Sequence, residues 1–239
     1  MLMKTRTRGT IPPFVAPQLA TLVDAVPAEG AWLHEIKFDG YRVMASIGGG
    51  QAVLRTRKGF DWTDKFAPLV EPLLKLPCSS ALLDGEVAVA DAKGRTDFGA
   101  LQNALSTGNG NFAYYVFDLL HLDGEDLRPL PLLERKRRLQ ALLARARRPR
   151  LRFTDHVSGR GAAFYEQACR RGLEGVVAKR ADSPYRSARG RDWLKIRCGK
   201  RQEFAPHGGD ARSLSHLLRV VRPTDAARAG RAQPGAATG

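Results

Sequence analysis

The sequence predicts an α+β fold in which antiparallel sheets are flanked by helices. Three observations carry that expectation. Trp32–Phe38, Tyr41–Ile47 and Val53–Thr56 are β-prone and separated only by the turn signals Asp39-Gly40 and Gly48-Gly49-Gly50, as in strands that double back on one another. Amphipathic helices are interspersed, the clearest at 131–146. The composition, 43% hydrophobic and 26% charged over 239 residues, is that of an ordinary globular chain with one good core.

The elements follow in order. Residues 11–30 are punctuated by Pro12, Pro13, Pro17 and Pro27 and read as an extended entry with a short helix around Leu19–Ala25. Period two in Trp32–Phe38 puts Trp32, Ile36 and Phe38 on one face and Glu35 and Lys37 on the other. Residues 62–76 read as helical up to Pro77, and a strand at Ala81–Ala90 carries Asp84-Gly85-Glu86. A short helix at Phe98–Leu105 and a strand at Phe112–Leu120 come next. In 131–146, Leu132, Leu133, Leu139, Leu142 and Leu143 recur at helical spacing. Its charged run Glu134–Arg138 is expected on a solvated face, with phosphate contact as the alternative. A helix at Gly161–Gly172 precedes two strands, Gly175–Lys179 and Trp193–Arg197, joined by a polar loop over 180–192. Residues 1–10 are expected to be flexible. Past about Lys200 the texture turns rich in Ala, Arg, Gly and Pro, so 201–239 is expected to be a basic, mostly disordered tail.

Charge narrows the function. Lys and Arg number 39 against 24 Asp and Glu, a formal net charge of +15. Such a chain is attracted to polyanions, nucleic acid foremost, although a GC-rich genome also enriches Arg and Ala. No apolar run is long enough for a transmembrane helix, and no membrane partner is expected. Cys78, Cys169 and Cys198 lie far apart with no CxxC pair, so neither a disulfide framework nor a cysteine zinc site is expected. A reducing, cytoplasmic location fits best. The five histidines show no metal-ligand spacing.

The sharpest constellation is Lys37-Phe38-Asp39-Gly40-Tyr41-Arg42. Alone, a lysine beside a tight turn is usually a surface lysine. Downstream stand Asp84-Gly85-Glu86, Phe117-Asp118, Glu174-Gly175-Val176-Val177-Ala178-Lys179 and Trp193-Leu194-Lys195-Ile196-Arg197. These five segments, in this order, resemble the nucleotidyltransferase motifs of ATP-dependent DNA ligases and mRNA capping enzymes. Trp32–Arg42, Asp61-Trp62-Thr63 and Arg201-Gln202-Glu203-Phe204 are especially similar to the ligase domain of bacterial DNA ligase D.

The resemblance implies an adenylation domain over residues 11–200, its sheets enclosing a nucleotide cleft, with ATP and Mg²⁺ or Mn²⁺ as cofactors. Lys37 is implied as the nucleophile that forms a lysyl-AMP phosphoramidate as pyrophosphate leaves. AMP then passes to a DNA 5′-phosphate in nick sealing. Glu35, Arg42, Arg57, Glu86, Phe117, Lys179, Lys195 and Arg197 are implied at the nucleotide. Arg197 stands where the family usually has lysine, so it keeps charge but not geometry. Glu86, Glu174 and Asp39 are implied at the metal. Double-stranded DNA with a nick or break is the implied substrate, with Ku as a protein partner in end joining, a monomeric chain and a location at the bacterial nucleoid. Relatives continue into an OB-fold domain. Here the likeness stops after Phe204, so a catalytic core with impaired sealing is expected. The alternatives are an RNA ligase or capping-type enzyme, and a nucleic-acid-binding remnant without catalysis.

Overall fold

The computed structural model describes residues 9–199 apart from Asn109 and Arg147. Nearly all of the expected flexible N-terminus and the whole of the expected tail lie outside the described residues. Two sheets face each other. The first has the order β1 (Leu19–Leu22), β11 (Arg189–Arg197), β10 (Gly175–Arg180), β2 (Trp32–Ile36), β9 (Val157–Ser158). The second runs β4 (Gln51–Thr56), β3 (Tyr41–Gly48), β5 (Ala81–Ala88), β6 (Ala113–Leu122), β7 (Glu125–Asp126), with β8 (Leu151–Phe153) also on β6. Most neighbours are antiparallel, as expected; β1 on β11 and β8 on β6 are parallel.

Four helices cover the outer faces: α1 (Ala67–Leu74), α2 (Phe98–Ser106), α3 (Leu132–Ala146) and α4 (Gly161–Arg170). α2 is capped by Asp97, whose carboxylate accepts from the Ala100 N–H at 2.6 Å. The short helix expected around Leu19–Ala25 is instead β1. Residues 19–22 find a ladder partner in β11, with Leu19 opposite Arg189 and Leu22 opposite Lys195, and a tertiary pairing of this kind overrides weak local propensity. The last strand also begins four residues earlier than expected, at Arg189.

Period-two alternation sorts the side chains. Val43, Ala45 and Ile47 of β3 point outward to a core shared with Leu69, Leu73, Leu139 and Leu143 of the helices. Val176, Ala178, Leu194 and Ile196 point outward to Phe164 and Ala168 of α4. Between the sheets, Met44, Leu82, Phe117 and Leu120 meet Tyr185 and Trp193. Each such fully buried side chain is worth about 1.5–3 kcal/mol of transfer free energy. This inner cluster joins the sheets at one end and leaves a cleft at the other.

The run Glu134–Arg138 departs from expectation. Arg137 is exposed, but Arg135 and Lys136 are 0% and 1% exposed. Arg135 makes a bidentate bond to Asp118, with Nε and Nη2 donating at 2.8 and 2.9 Å, and its Nη1 donates to the Leu130 and Ser183 carbonyls. The cysteine expectation is also corrected: Cys169 and Cys198 form a disulfide. Helix α4 and the residue just past β11 bring together two residues that are 29 apart in sequence, a proximity the spacing does not reveal.

Candidate active site

The residues left facing inward line one cleft of about 210 Å³ between the sheets. Sheet register explains which they are. Glu35 stands opposite Val177 and Val177 opposite Lys195, while Lys179 stands opposite Trp193. All five line the cleft. From the second sheet come Arg42, opposite Glu86 on the neighbouring strand, and Phe117. Lys37 and Arg57 complete the wall from the segments that follow β2 and β4. Eight expected site residues are therefore brought together: Lys37, Glu35, Arg42, Arg57, Glu86, Phe117, Lys179 and Lys195. Arg197, Asp39 and Glu174 are not among the lining residues.

Lys37 is held by its backbone, whose N–H donates to the Gly175 carbonyl at 3.0 Å. Gly175 has φ +153° and no room for a Cβ, which would collide with the Ile196 carbonyl. The Lys37 Nζ forms an ion pair with Glu174, leaving the Glu174 Oε2 buried without a hydrogen-bond partner. Glu86 approaches the same region from an interior strand. Burial chiefly pushes its carboxyl up to about 7, against the pull of Arg42 and Lys37 and with the repulsion of Asp84 and Glu174. Two carboxylates thus flank Lys37, one with an unused oxygen and one poorly compensated. Hard oxygen donors of this kind suit a divalent cation that keeps waters and phosphate oxygens as its other ligands. Asp39 does not line the cleft; its backbone N–H donates to the Thr96 Oγ1 at 2.8 Å. Among the described residues no group of three or more His, Cys, Asp or Glu is arranged to hold a metal.

Arg42 is committed to structure. Its Nε and Nη2 donate to the two oxygens of Asp84 at 2.6 and 2.7 Å, and Tyr185 donates to the same carboxylate at 2.6 Å. The Arg42 guanidinium lies 4.6 Å from the Phe117 ring centroid, so it forms the floor under that ring. Lys195 is a different kind of cation. Burial lowers its affinity for a proton, and Arg197, Lys37, Arg189 and Arg57 lower it further. That repulsion marks a concentration of positive charge awaiting an anion. Arg197 contributes from the exposed rim, where its carbonyl accepts from the Tyr165 hydroxyl.

Deepest lies Glu35, bound on both oxygens: Oε1 accepts from Lys136 and Oε2 from Lys179, each at 2.6 Å. Burial would raise the Glu35 carboxyl, but the two ammonium groups hold it low. Lys179 sits 3.9 and 4.2 Å from the Phe117 and Trp193 ring centroids. Its pKa is lowered to about 8, mainly by burial and also by Lys136, against the attraction of Glu35. Lys136, Arg189 and Trp193 received no role from sequence. Trp193 lies within a motif and Arg189 four residues before it, but nothing local marks Lys136.

Comparison with known proteins sharpens the picture. A family model described as ATP dependent DNA ligase domain matches residues 13–197. The multifunctional non-homologous end joining protein LigD of Pseudomonas aeruginosa is 43% identical over 221 residues, covering 90% of this chain and 26% of that protein. The chain therefore spans about a quarter of that relative's length. The SPbeta prophage-derived DNA ligase-like protein LigB of Bacillus subtilis is 34% identical, covering 77% of this chain and 67% of that protein. A structure of mycobacterial DNA ligase D complexed with ATP and MES superposes with a TM-score of 0.67 at 33% identity, covering 76% of this chain and 60% of that one. The order of motifs along the strands, their convergence on one cleft and these matches agree, and the chain belongs to the ATP-dependent DNA ligase domain family.

Proposed function

We propose that this cleft adenylylates Lys37 and passes the AMP to a DNA 5′-phosphate, the reaction by which a nick or break is sealed. The observation that supports this most is the setting of Lys37: an amine paired with Glu174 and felt by Glu86, in a cleft that Arg57, Arg189 and Lys195 also line. The Lys37 amine attacks the α-phosphorus of ATP, the bond to pyrophosphate breaks, and a phosphoramidate forms. Glu174, already bonded to Nζ, is placed to take the proton that the amine gives up. Lys195, with Arg57 and Arg189, stabilises the charge gathering on phosphate oxygens. In this reading Phe117, whose ring lies against the Arg42 and Lys179 cations, stacks on the base, and Glu86 serves the ribose side. Glu86 and Glu174 would hold Mg²⁺ or Mn²⁺, which when bound neutralises phosphate charge. AMP transfer to a 5′-phosphate and attack by the 3′-hydroxyl then complete sealing.

Incubation with α-labelled ATP and Mg²⁺ or Mn²⁺, followed by denaturing electrophoresis, tests the reading. The wild-type chain should retain label and Lys37→Ala should not; label retained by Lys37→Ala refutes the nucleophile. For the 239-residue polypeptide on its own the same reading expects slow self-adenylylation and weak sealing, with a pre-adenylylated nick the better substrate. Sealing at the rate of full-length relatives overturns that part. The name of the Pseudomonas relative supports end joining as the setting. A monomer that works on broken duplexes with Ku, at the nucleoid, belongs to the same proposal, and co-sedimentation with Ku-bound DNA ends tests it. No helix among the described residues is long and apolar enough to cross a membrane.

A further inference from the structure

Lys136 lies on α3, outside the cleft lining and 101 residues from Glu35 in sequence. It is 1% exposed, and its Nζ is fixed by two acceptors, Glu35 Oε1 at 2.6 Å and the Thr154 carbonyl at 2.8 Å. Its ammonium also lies 4.7 Å from the Phe153 ring centroid. The Glu35 carboxylate is thus divided between two lysines, one behind the wall and one in it.

We propose that Lys136 is the positioning residue of the nucleotide site: it takes half of the Glu35 carboxylate, aims the other oxygen at Lys179, and so leaves the Lys179 charge only partly balanced toward the cleft. The inference rests on the reading of the cleft as an ATP site. Its logic is a count of charge in a buried space. Lys136, Glu35 and Lys179 together carry one net positive charge; Glu35 and Lys179 alone carry none. In low dielectric one unbalanced charge close to an anionic ligand changes affinity measurably.

The groups facing Lys179 are Glu35 on β2, Lys136 on α3 and Asp118 on β6, the last already matched by Arg135. His156, after β8, also feels Lys136, Glu35 and Lys179, and burial keeps its proton affinity low. Because Lys179 titrates at about 8, the charge difference between the wild-type chain and a Lys136→Met variant depends on pH. Near pH 7 the wild-type group is one positive charge richer. As pH rises and wild-type Lys179 gives up its proton, Lys179 in the variant holds its proton more tightly because the repulsion from Lys136 is gone, so the charge difference between the two groups narrows. A residue that only filled space would not produce that convergence.

The experiment uses the full 239-residue chain. ATP binding by titration calorimetry and self-adenylylation against ATP concentration are followed from about pH 6.5 to 9.5 for wild type, Lys136→Met and Lys136→Arg. The expected result for Lys136→Met is about tenfold weaker ATP binding at pH 7, mostly in half-saturating concentration rather than in rate at saturation, with the gap shrinking as the pH is raised. Lys136→Arg keeps the charge and should keep the wild-type pH dependence. If Lys136→Met does not fold, Lys136→Arg decides: loss of the wild-type pH dependence despite the retained charge overturns the proposal. Equal, pH-independent affinity of Lys136→Met and wild type also overturns it while leaving the ATP reading standing. A wild-type chain that binds no ATP overturns both.

Discussion

Within the run Glu134–Arg138, two arginines two residues apart should behave in opposite ways. Arg135 and Asp118 are both 0% exposed and bonded at two points, and Arg135 also satisfies two buried carbonyls. Arg135→Met removes one partner of a buried pair, strands the Asp118 charge and leaves the Leu130 and Ser183 oxygens without this donor. Breaking a buried pair in this way costs about 3–5 kcal/mol, a large share of the roughly 5–15 kcal/mol that holds a domain folded. Arg137, 70% exposed and paired with Glu134, forms a solvent-screened surface pair that contributes little to stability. Urea unfolding followed by circular dichroism should therefore show a large fall in midpoint for Arg135→Met and almost none for Arg137→Met. The double variant Arg135→Met/Asp118→Leu should recover much of the loss, because the stranded charge is gone. If Arg135→Met and Arg137→Met fall together within about 1 kcal/mol, the pair is not the buried anchor its geometry describes.

Three further outcomes follow. Glu86 has a folded pKa of about 7, raised chiefly by burial, so the folded state binds more protons than the unfolded between about pH 4.5 and 7, and wild-type stability falls as pH rises through that window. Glu86→Gln should remove that part of the decline, measured as the difference between the two chains in denaturant midpoint from pH 5 to 7.5; parallel curves refute the assignment. Gly175→Ala drives a Cβ into the Ile196 carbonyl at φ +153°; it should cost at least about 1–3 kcal/mol and, by displacing the carbonyl that holds Lys37, slow self-adenylylation more than ATP binding. The Cys169–Cys198 bond spans 29 residues, so chain entropy gives it about 3–4 kcal/mol. Thermal melts of the wild-type chain with and without reductant should separate accordingly, whereas those of a Cys169→Ser variant should coincide.

Most of the site was legible because its residue types are rare in their settings: a lysine ahead of Asp-Gly, a glutamate inside an apolar strand, alternating cations beside Trp193. Period two then decides which of them face inward, and register confirmed it for Glu35, Lys179 and Lys195. What local pattern could not show is pairing across long separations. Leu19–Leu22 is a strand because β11 lies beside it. Lys136 and Arg135 are buried because carboxylates 101 and 17 residues away accept them, so two members of a charged run that looks solvated joined the core. Asp39, adjacent to Gly40 in the motif, is held through its backbone N–H, which donates to Thr96, 57 residues away.

The placement of β1 beside β11 has a consequence for how the molecule comes into being. The cleft draws lining residues from Leu19 through to Lys195, and the first strand waits for the last. On a ribosome adding about 5–20 residues per second, β1 stays without its ladder for about 9–36 s while the stretch up to Arg197 is made. Pairings of such long range are also intrinsically slow to close. Until Arg189–Arg197 arrives, β10 lacks one neighbour and Phe117 lacks Trp193, so the nascent chain presents an open sheet edge and an uncovered aromatic. A nucleotide that needs the assembled walls can stabilise the fold only once β11 is in place, so a ligand of this cleft acts late in folding and offers no help to the early intermediates.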